Sequence, residues 1–175
     1  GTLKGIQERR AGELAAIRGL GVAKACRVVA AAELGRRAMR QRDRTEVLQT
    51  AADVGKRCAY LSHEKDEVFL AIALNGRNRV IGEWEVARGW ESGVNLTPRQ
   101  VYTLLIKEGA TRVVFVHNHP SGDPTPSQED VRFTARLLEA AQSLGIRVLD
   151  HVIVAIDGFV SLRERGGNGL EFGRG

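Results

Sequence analysis

The order of apolar patterns along the chain predicts an α/β fold, a mixed sheet flanked by helices with a small helical segment in front. Three observations carry that expectation. Apolar runs of strand length alternate with segments whose apolar residues recur at helical spacing. One such run, Val113-Val114-Phe115-Val116, delivers His117 and His119 into a loop with three of the four prolines, and a helical pattern follows. Charge then divides the chain: residues 1–45 hold eleven Lys/Arg against four Asp/Glu (+7), and the remainder fifteen against seventeen (−2). Residues 1–44 accordingly read as a helical segment, 45–165 as the main domain and 166–175 as a Gly-rich flexible tail, too poor in apolar residues to order itself.

In the first segment, Leu14 to Ala25 reads as helix, tight turn, helix, with Gly19 and Gly21 permitting backbone conformations other residues resist. The helical pattern resumes at Val22 and persists to about Arg40, and Gln41-Arg42-Asp43-Arg44 reads as a linker. The spacing Gly19, Gly21, Lys24 is similar to the helix-hairpin-helix hairpin of DNA-binding proteins. That resemblance implies hairpin amides close to a phosphate, Lys24, Arg18 and Arg27 adding charge, and Arg36, Arg37 and Arg40 extending the basic surface. The alternative is a helical hairpin with a solvated basic face that packs on, or links to, another domain. Cys26 and Cys58 have no metal-type spacing and read as buried, reduced thiols of a cytoplasmic protein. No apolar run reaches the roughly 18 residues of a membrane span, and no signal peptide is evident. The Gly1-Thr2 start reads as lying inside a longer gene product.

A helix is expected from about 46 to 61, with Thr45 as N-cap and Val47, Leu48, Ala51, Val54, Cys58 and Leu61 as its apolar face. Residues 67–74 and 79–86 read as strands joined at Asn75-Gly76-Arg77-Asn78, because Asn-Gly favours positive φ. Trp90, in the loop that follows, flanks a cleft or packs at an exposed edge. Thr97-Pro98-Arg99-Gln100 combines an N-cap, an N1 proline and a capping-box glutamine, so a helix starts there and Gly109 stops it. Residues 111–117 form the central strand and 128–144 a helix ended by Gly145. One bent strand or two follow over 146–156, then a turn at Asp157-Gly158 and a last extended stretch over 159–163.

The chemistry concentrates between His117 and Asp130. Side chains at i and i+2 of a strand share a face, so His117 and His119 can converge on one ion. Ser127 as N-cap puts Asp130 at N3, where its carboxylate folds back toward the loop. Ser-x-x-Asp by itself is an ordinary helix start. Two imidazoles with a carboxylate suit zinc, and three protein ligands leave one position for water. His-x-His followed after seven residues by Ser-x-x-Asp resembles the JAMM (MPN-type) metalloprotease signature. The wording His117-Asn118-His119-Pro120-Ser121-Gly122-Asp123 with Pro126-Ser127 and Asp130 resembles its RadC branch.

The resemblance runs from about Glu46 to Leu162. It implies a three-layer, cytidine-deaminase-like MPN fold and one zinc per chain on His117, His119 and Asp130. It implies Glu67 as general acid/base, Ser127 as oxyanion donor, a peptide or isopeptide substrate, and an association with DNA repair. Glu64 is the nearest rival to Glu67, but Glu67 shares a strand face with Phe69 and directly precedes the apolar run. His151 and Asn118 read as residues behind the ligands or lining the cleft, His151 more often as a satisfied structural histidine, so it is left out of the metal shell. Two other readings stand beside the hydrolase: a metal-dependent enzyme acting on nucleic acid, and a DNA- or partner-binding module with a non-catalytic metal site.

Overall fold

The computed structural model describes residues 10–42, 46–89, 96–166 and 169–173, with side chains for all of these except 36–42. The chain forms two compact units, Gly1–Arg44 and Thr45–Gly175. No helix of the described residues is long and apolar enough to cross a membrane.

In the first unit, α1 (Ala11–Ala15) and α2 (Gly21–Arg42) pack on each other, with Leu14 and Ala25 buried. Gly19 (φ 90°) and Gly21 (φ 58°) occupy the left-handed region, and Lys24 Nζ turns back to donate to the Gly19 carbonyl at 3.4 Å. Helix α2 runs further than expected, so Gln41 and Arg42 of the anticipated linker are helical, while Asp43 and Arg44 lie outside the described residues. Cys26 is exposed, against expectation: Ala25 takes the buried position and its neighbour faces outward.

The second unit opens differently from its sequence reading. Residues 46–48 run extended along the start of β2 (Val80–Arg88) instead of beginning a helix. Val47 bridges Arg79, Leu48 N donates to Asn78 O at 3.0 Å, and Val80 N donates to Glu46 O at 2.9 Å. Helix α3 (Ala51–Cys58) starts after Thr50, where Asp53 N donates to Thr50 Oγ1 at 3.2 Å and Thr50 N donates to the Asp53 carboxylate at 2.9 Å. That reciprocal cap, with the edge pairing before it, outcompetes a start at Thr45, which itself lies outside the described residues. The apolar face still docks: Leu48, Ala51, Val54, Cys58 and Leu61 are buried.

Five strands form one sheet in the order β2-β1-β3-β4-β5, with β1 (Val68–Leu74), β3 (Arg112–Asn118), β4 (Arg147–Ala155) and β5 (Gly158–Ser161). The β3–β4 pair is parallel and the other three are antiparallel. The β1–β2 turn is closed by Asn75 N to Arg79 O at 3.0 Å. Its left-handed residue is Asn78 (φ 56°), not Gly76, because the Asn75 side chain accepts from Arg77 N and Arg79 N and spreads the turn over four residues. The stretch read as one bent strand or two is the single strand β4, with a bulge at Leu149: Val113 pairs Val148, but Val114 pairs Asp150.

Alternation along β1 and β3 builds two cores, so the unit has three layers. Phe69, Ala71, Ala73, Val113 and Phe115 face α4 (Pro98–Lys107) and α5 (Gln128–Leu144), which contribute Val101, Tyr102, Leu105, Phe133 and Leu137. Leu70, Ile72, Val114 and Val116 face α3. The start of α4 is as read: Thr97 N donates to Gln100 Oε1 at 2.9 Å and Gln100 N to Thr97 Oγ1 at 3.4 Å. After β5 comes a single helical turn, α6 (Leu162–Arg165), where an extended stretch was expected, because Ser161 Oγ caps it by accepting from Glu164 N at 3.0 Å. Within the expected flexible tail, residues 169–173 are seated: Leu170 and Phe172 pack against the α4/α5 core and Gly173 N donates to Val148 O at 3.0 Å. Two apolar side chains, i and i+2, suffice to anchor an otherwise Gly-rich stretch; Gly166 follows α6 directly, and Gly167, Asn168, Arg174 and Gly175 lie outside the described residues.

Candidate metal centre

Three side chains from two elements meet at the carboxyl end of β3. His117 is fully buried on the α5 face of the strand, and its ring stacks at 6.4 Å against Phe69 of β1. His119 lies just past the strand end, where its N donates to Val154 O at 3.0 Å. The loop then turns at Gly122 (φ 95°), whose N donates to the His119 carbonyl at 3.1 Å. Asp130 sits at N3 of α5. Its N–H donates to Ser127 Oγ at 3.1 Å, and its Oδ2 accepts from Ser127 N at 2.7 Å and Ser127 Oγ at 2.6 Å. The cap that starts the helix therefore also aims the carboxylate back at β3.

His117 Nε2 is 3.0 Å from His119 Nε2 and 3.1 Å from Asp130 Oδ1, and His119 Nε2 is 3.4 Å from Asp130 Oδ2. Tetrahedral ligands at zinc–nitrogen and zinc–oxygen bond lengths stand about 3.3 Å apart; the two imidazole nitrogens approach each other, and each approaches a different oxygen of the Asp130 carboxylate, on that scale. His119 Nδ1 is 2.8 Å from the Asp123 carbonyl, which only accepts, so Nδ1 carries the proton and Nε2 presents a lone pair. A nitrogen lone pair and a carboxylate crowded this closely call for a cation between them. Among the described residues this is the one group of three His, Cys, Asp or Glu side chains gathered at such spacing.

The electrostatics agree. Burial works against ionising Asp130, yet the neighbouring imidazoles of His117 and His119 and the Ser127 hydroxyl outweigh it and hold the carboxyl far below the usual carboxylate range. Burial lowers the His117 pKa against the pull of Asp130. For His119 burial is overcome by Asp130, the Asp123 carbonyl and the charge of Glu67, so its pKa is raised.

Glu67 thus lies near enough for its charge to act on His119. The register explains why: Phe69 pairs His117, so continuing the antiparallel count sets 67 beside 119. Asn118 fixes that approach. Fully buried, it accepts from Val68 N at 2.7 Å and donates to Asp66 O at 3.1 Å, gripping the backbone on both sides of Glu67. The rival Glu64 is paired with Arg88 at 2.8 Å. Glu67 and His119 are half-buried and Ser127 is exposed, so the cluster opens to solvent on their side.

Of the expected site residues, His117, His119 and Asp130 meet, Glu67 flanks them, and Ser127 touches Asp130. Ser127 Oγ is committed to the cap, accepting from Asp130 N and giving its proton to Oδ2. Gly19 and Gly21 lie in the turn into α2, and Lys24, in the first turn of that helix, bonds back to the Gly19 carbonyl. Trp90 lies outside the described residues. The sequence reading passed over Thr134, which is four residues after Asp130 and hence on the same helix face, a spacing able to reveal it.

Comparison with known proteins matches residues 48–167 to a family model described as a RadC-like JAB domain. The chain is 41% identical over 170 residues to a UPF0758 protein of Syntrophotalea carbinolica, covering 94% of this chain and 74% of that one. It is 42% identical over 169 residues to a UPF0758 protein of Salinibacter ruber (95% and 72%) and 41% over 155 residues to one of Thermotoga maritima (88% and 70%). With a match over most of its length and relatives at this identity, the chain belongs to the family of RadC-like JAB-domain proteins.

Proposed function

We propose that the chain is a zinc-dependent hydrolase of amide bonds, in which His117, His119 and Asp130 hold one zinc ion. The observation that carries this is the convergence of two imidazole Nε2 atoms, 3.0 Å apart, on the Asp130 carboxylate, whose Oδ1 lies 3.1 Å from His117 and whose Oδ2 lies 3.4 Å from His119, at the mouth of a half-exposed site. Bound there, zinc supplies Lewis acidity, which polarises a carbonyl and brings the pKa of water toward neutrality. Glu67, fixed beside His119 by the Asn118 grip, takes a proton from the attacking water and returns it to the leaving amine. Ser127 donates to the developing oxyanion once its hydrogen turns from Asp130 Oδ2, a turn made easier when a cation shares that carboxylate's charge. Phosphodiester chemistry commonly uses two metals about 3.5–4 Å apart. A single three-ligand cluster fits amide hydrolysis better.

Metal content by mass spectrometry tests this, on wild type, His117→Ala and Glu67→Gln, alongside hydrolysis of peptide and isopeptide panels. We expect about one zinc per chain in wild type and Glu67→Gln, its loss in His117→Ala, and turnover in wild type alone. A wild type that takes up no transition metal even when zinc is offered overturns the proposal.

For the first unit we propose weak, sequence-independent DNA contact through the exposed turn at Gly19 and Gly21 and the basic helix behind it, with Lys24 near the phosphate. The supporting observation is an exposed, left-handed glycine turn in a segment of net charge +7. Binding of a duplex should weaken steeply with salt. Binding equal with and without residues 1–44 refutes the assignment.

A further inference from the structure

A second buried histidine stands behind the proposed ligands. His151, in β4, is fully buried, with its ring edge-on to Phe69 at 5.5 Å and Phe115 at 6.2 Å. Both of its ring nitrogens are engaged. Nε2 lies 2.8 Å from His117 Nδ1, and Nδ1 lies 2.6 Å from Thr134 Oγ1. Thr134, fully buried in α5, places the same Oγ1 2.6 Å from the Asp130 carbonyl. The chain of contacts runs from a ligand on β3, through β4, to the backbone of the residue that supplies another ligand on α5.

One end sets the direction of every hydrogen bond in this chain. A backbone carbonyl only accepts, so Thr134 donates its single proton to Asp130 O and must accept from His151 Nδ1–H. A neutral imidazole has one N–H, so His151 Nε2 is the acceptor and His117 Nδ1–H is its donor. His117 Nε2 then carries a lone pair, aimed toward His119 and Asp130. The reverse arrangement leaves two oxygens 2.6 Å apart with no proton between them, a separation typical of a hydroxyl hydrogen bond. It would also turn an N–H of His117 into the cluster, where a ligand atom is needed.

We infer that Thr134 and His151 are positioning residues that hold His117 in its Nδ1–H tautomer and so present Nε2 as a ligand atom. One turn of α5 does both jobs: the Asp130 carboxylate faces the cluster while its carbonyl, through Thr134 and His151, orients the imidazole across from it. The use of this tautomer rests on the metal-site reading, whereas the proton arrangement belongs to the chain itself and is measurable without metal.

The experiment is a long-range proton–nitrogen correlation of the histidine rings in the metal-free protein at neutral pH, with zinc titrations of wild type, Thr134→Val and Thr134→Ser. The expected spectrum shows His151 as Nδ1–H; His151 as Nε2–H overturns the inference. Thr134→Val keeps the side-chain shape and removes the acceptor, so zinc affinity should fall on the order of 10–100-fold, while Thr134→Ser restores it to within a few-fold of wild type. Wild-type affinity in Thr134→Val overturns the inference as well. Should that variant not fold, the spectrum of the unaltered protein decides. Failure of wild type to bind zinc overturns the metal reading and the use made of the tautomer, and the ring spectrum still decides the proton arrangement.

Discussion

Asn118→Ala removes the grip on Glu67 without touching a proposed ligand. The amide loses two hydrogen bonds, from Val68 N at 2.7 Å and to Asp66 O at 3.1 Å, and both Asn118 and Val68 are fully buried. A net hydrogen bond contributes about 1 kcal/mol and a buried donor left unmade costs about 1–3 kcal/mol, so the variant should lose roughly 2–4 kcal/mol of stability. Urea denaturation followed by circular dichroism measures that loss, and metal analysis and hydrolysis assays run on the same protein. Zinc should stay near one per chain, since His117, His119 and Asp130 are intact, while turnover falls because Glu67 is no longer fixed. Asn118→Asp separates the two bonds: it keeps the acceptor for Val68 N, sets a carboxylate oxygen against the Asp66 carbonyl, and should recover only part of the stability. Stability of Asn118→Ala within about 0.5 kcal/mol of wild type, the usual range for an inconsequential surface change, would refute the assignment of this side chain as a clamp.

Ser127→Ala removes the N-cap of α5 and should cost about 1 kcal/mol in denaturation, with zinc affinity also reduced because the Ser127 hydroxyl helps hold Asp130. An unchanged affinity would show that the backbone bond from Ser127 N is enough. Gly145→Ala tests backbone conformation alone: Gly145 closes α5 at φ 66° and an added Cβ meets nothing within 4 Å. A loss of about 1–2 kcal/mol is expected, and no loss would mean the chain leaves the left-handed region freely. Burial drives the His151 pKa well below 6.5, so below about pH 6.5 the unfolded chain takes up a proton that the folded one refuses. Stability therefore falls as pH falls, approaching about 1.4 kcal/mol per pH unit below pH 6 for this one group. His117, also lowered, acts in the same sense, and His119, raised, in the opposite one. Urea midpoints of the metal-free protein at pH 7.5 and 5.5 check this; an equal or higher midpoint at pH 5.5 contradicts it.

The cluster of His117, His119 and Asp130 was legible in the sequence because its geometry is short-range. Strand alternation alone puts His117 and His119 on one face, and an N-cap serine alone turns an N3 aspartate back toward the preceding loop. The starts of α4 and α5 follow from the same local chemistry. Where a distant partner competes, local reading failed. A helix start at Thr45 lost to edge pairing of 46–48 with the residues entering β2, and a tail too poor in apolar residues to order itself found a seat for Leu170 and Phe172.

The partners of the site depended on sheet register. Pairing of Phe69 with His117 carries Glu67 to His119, and no local pattern distinguishes that pairing from one shifted by two residues. The bulge at Leu149 is the clearest case. It inserts one residue opposite β3, reverses the alternation of everything after it in β4, and so turns His151 onto the α5 face, against His117 and Thr134. The sequence by itself determined the candidate cluster of His117, His119 and Asp130 and the caps that aim it, because those are contacts within a turn or two of chain. The tertiary structure decided which groups pack around that cluster, because that rests on register and on a one-residue bulge, which local propensity does not encode.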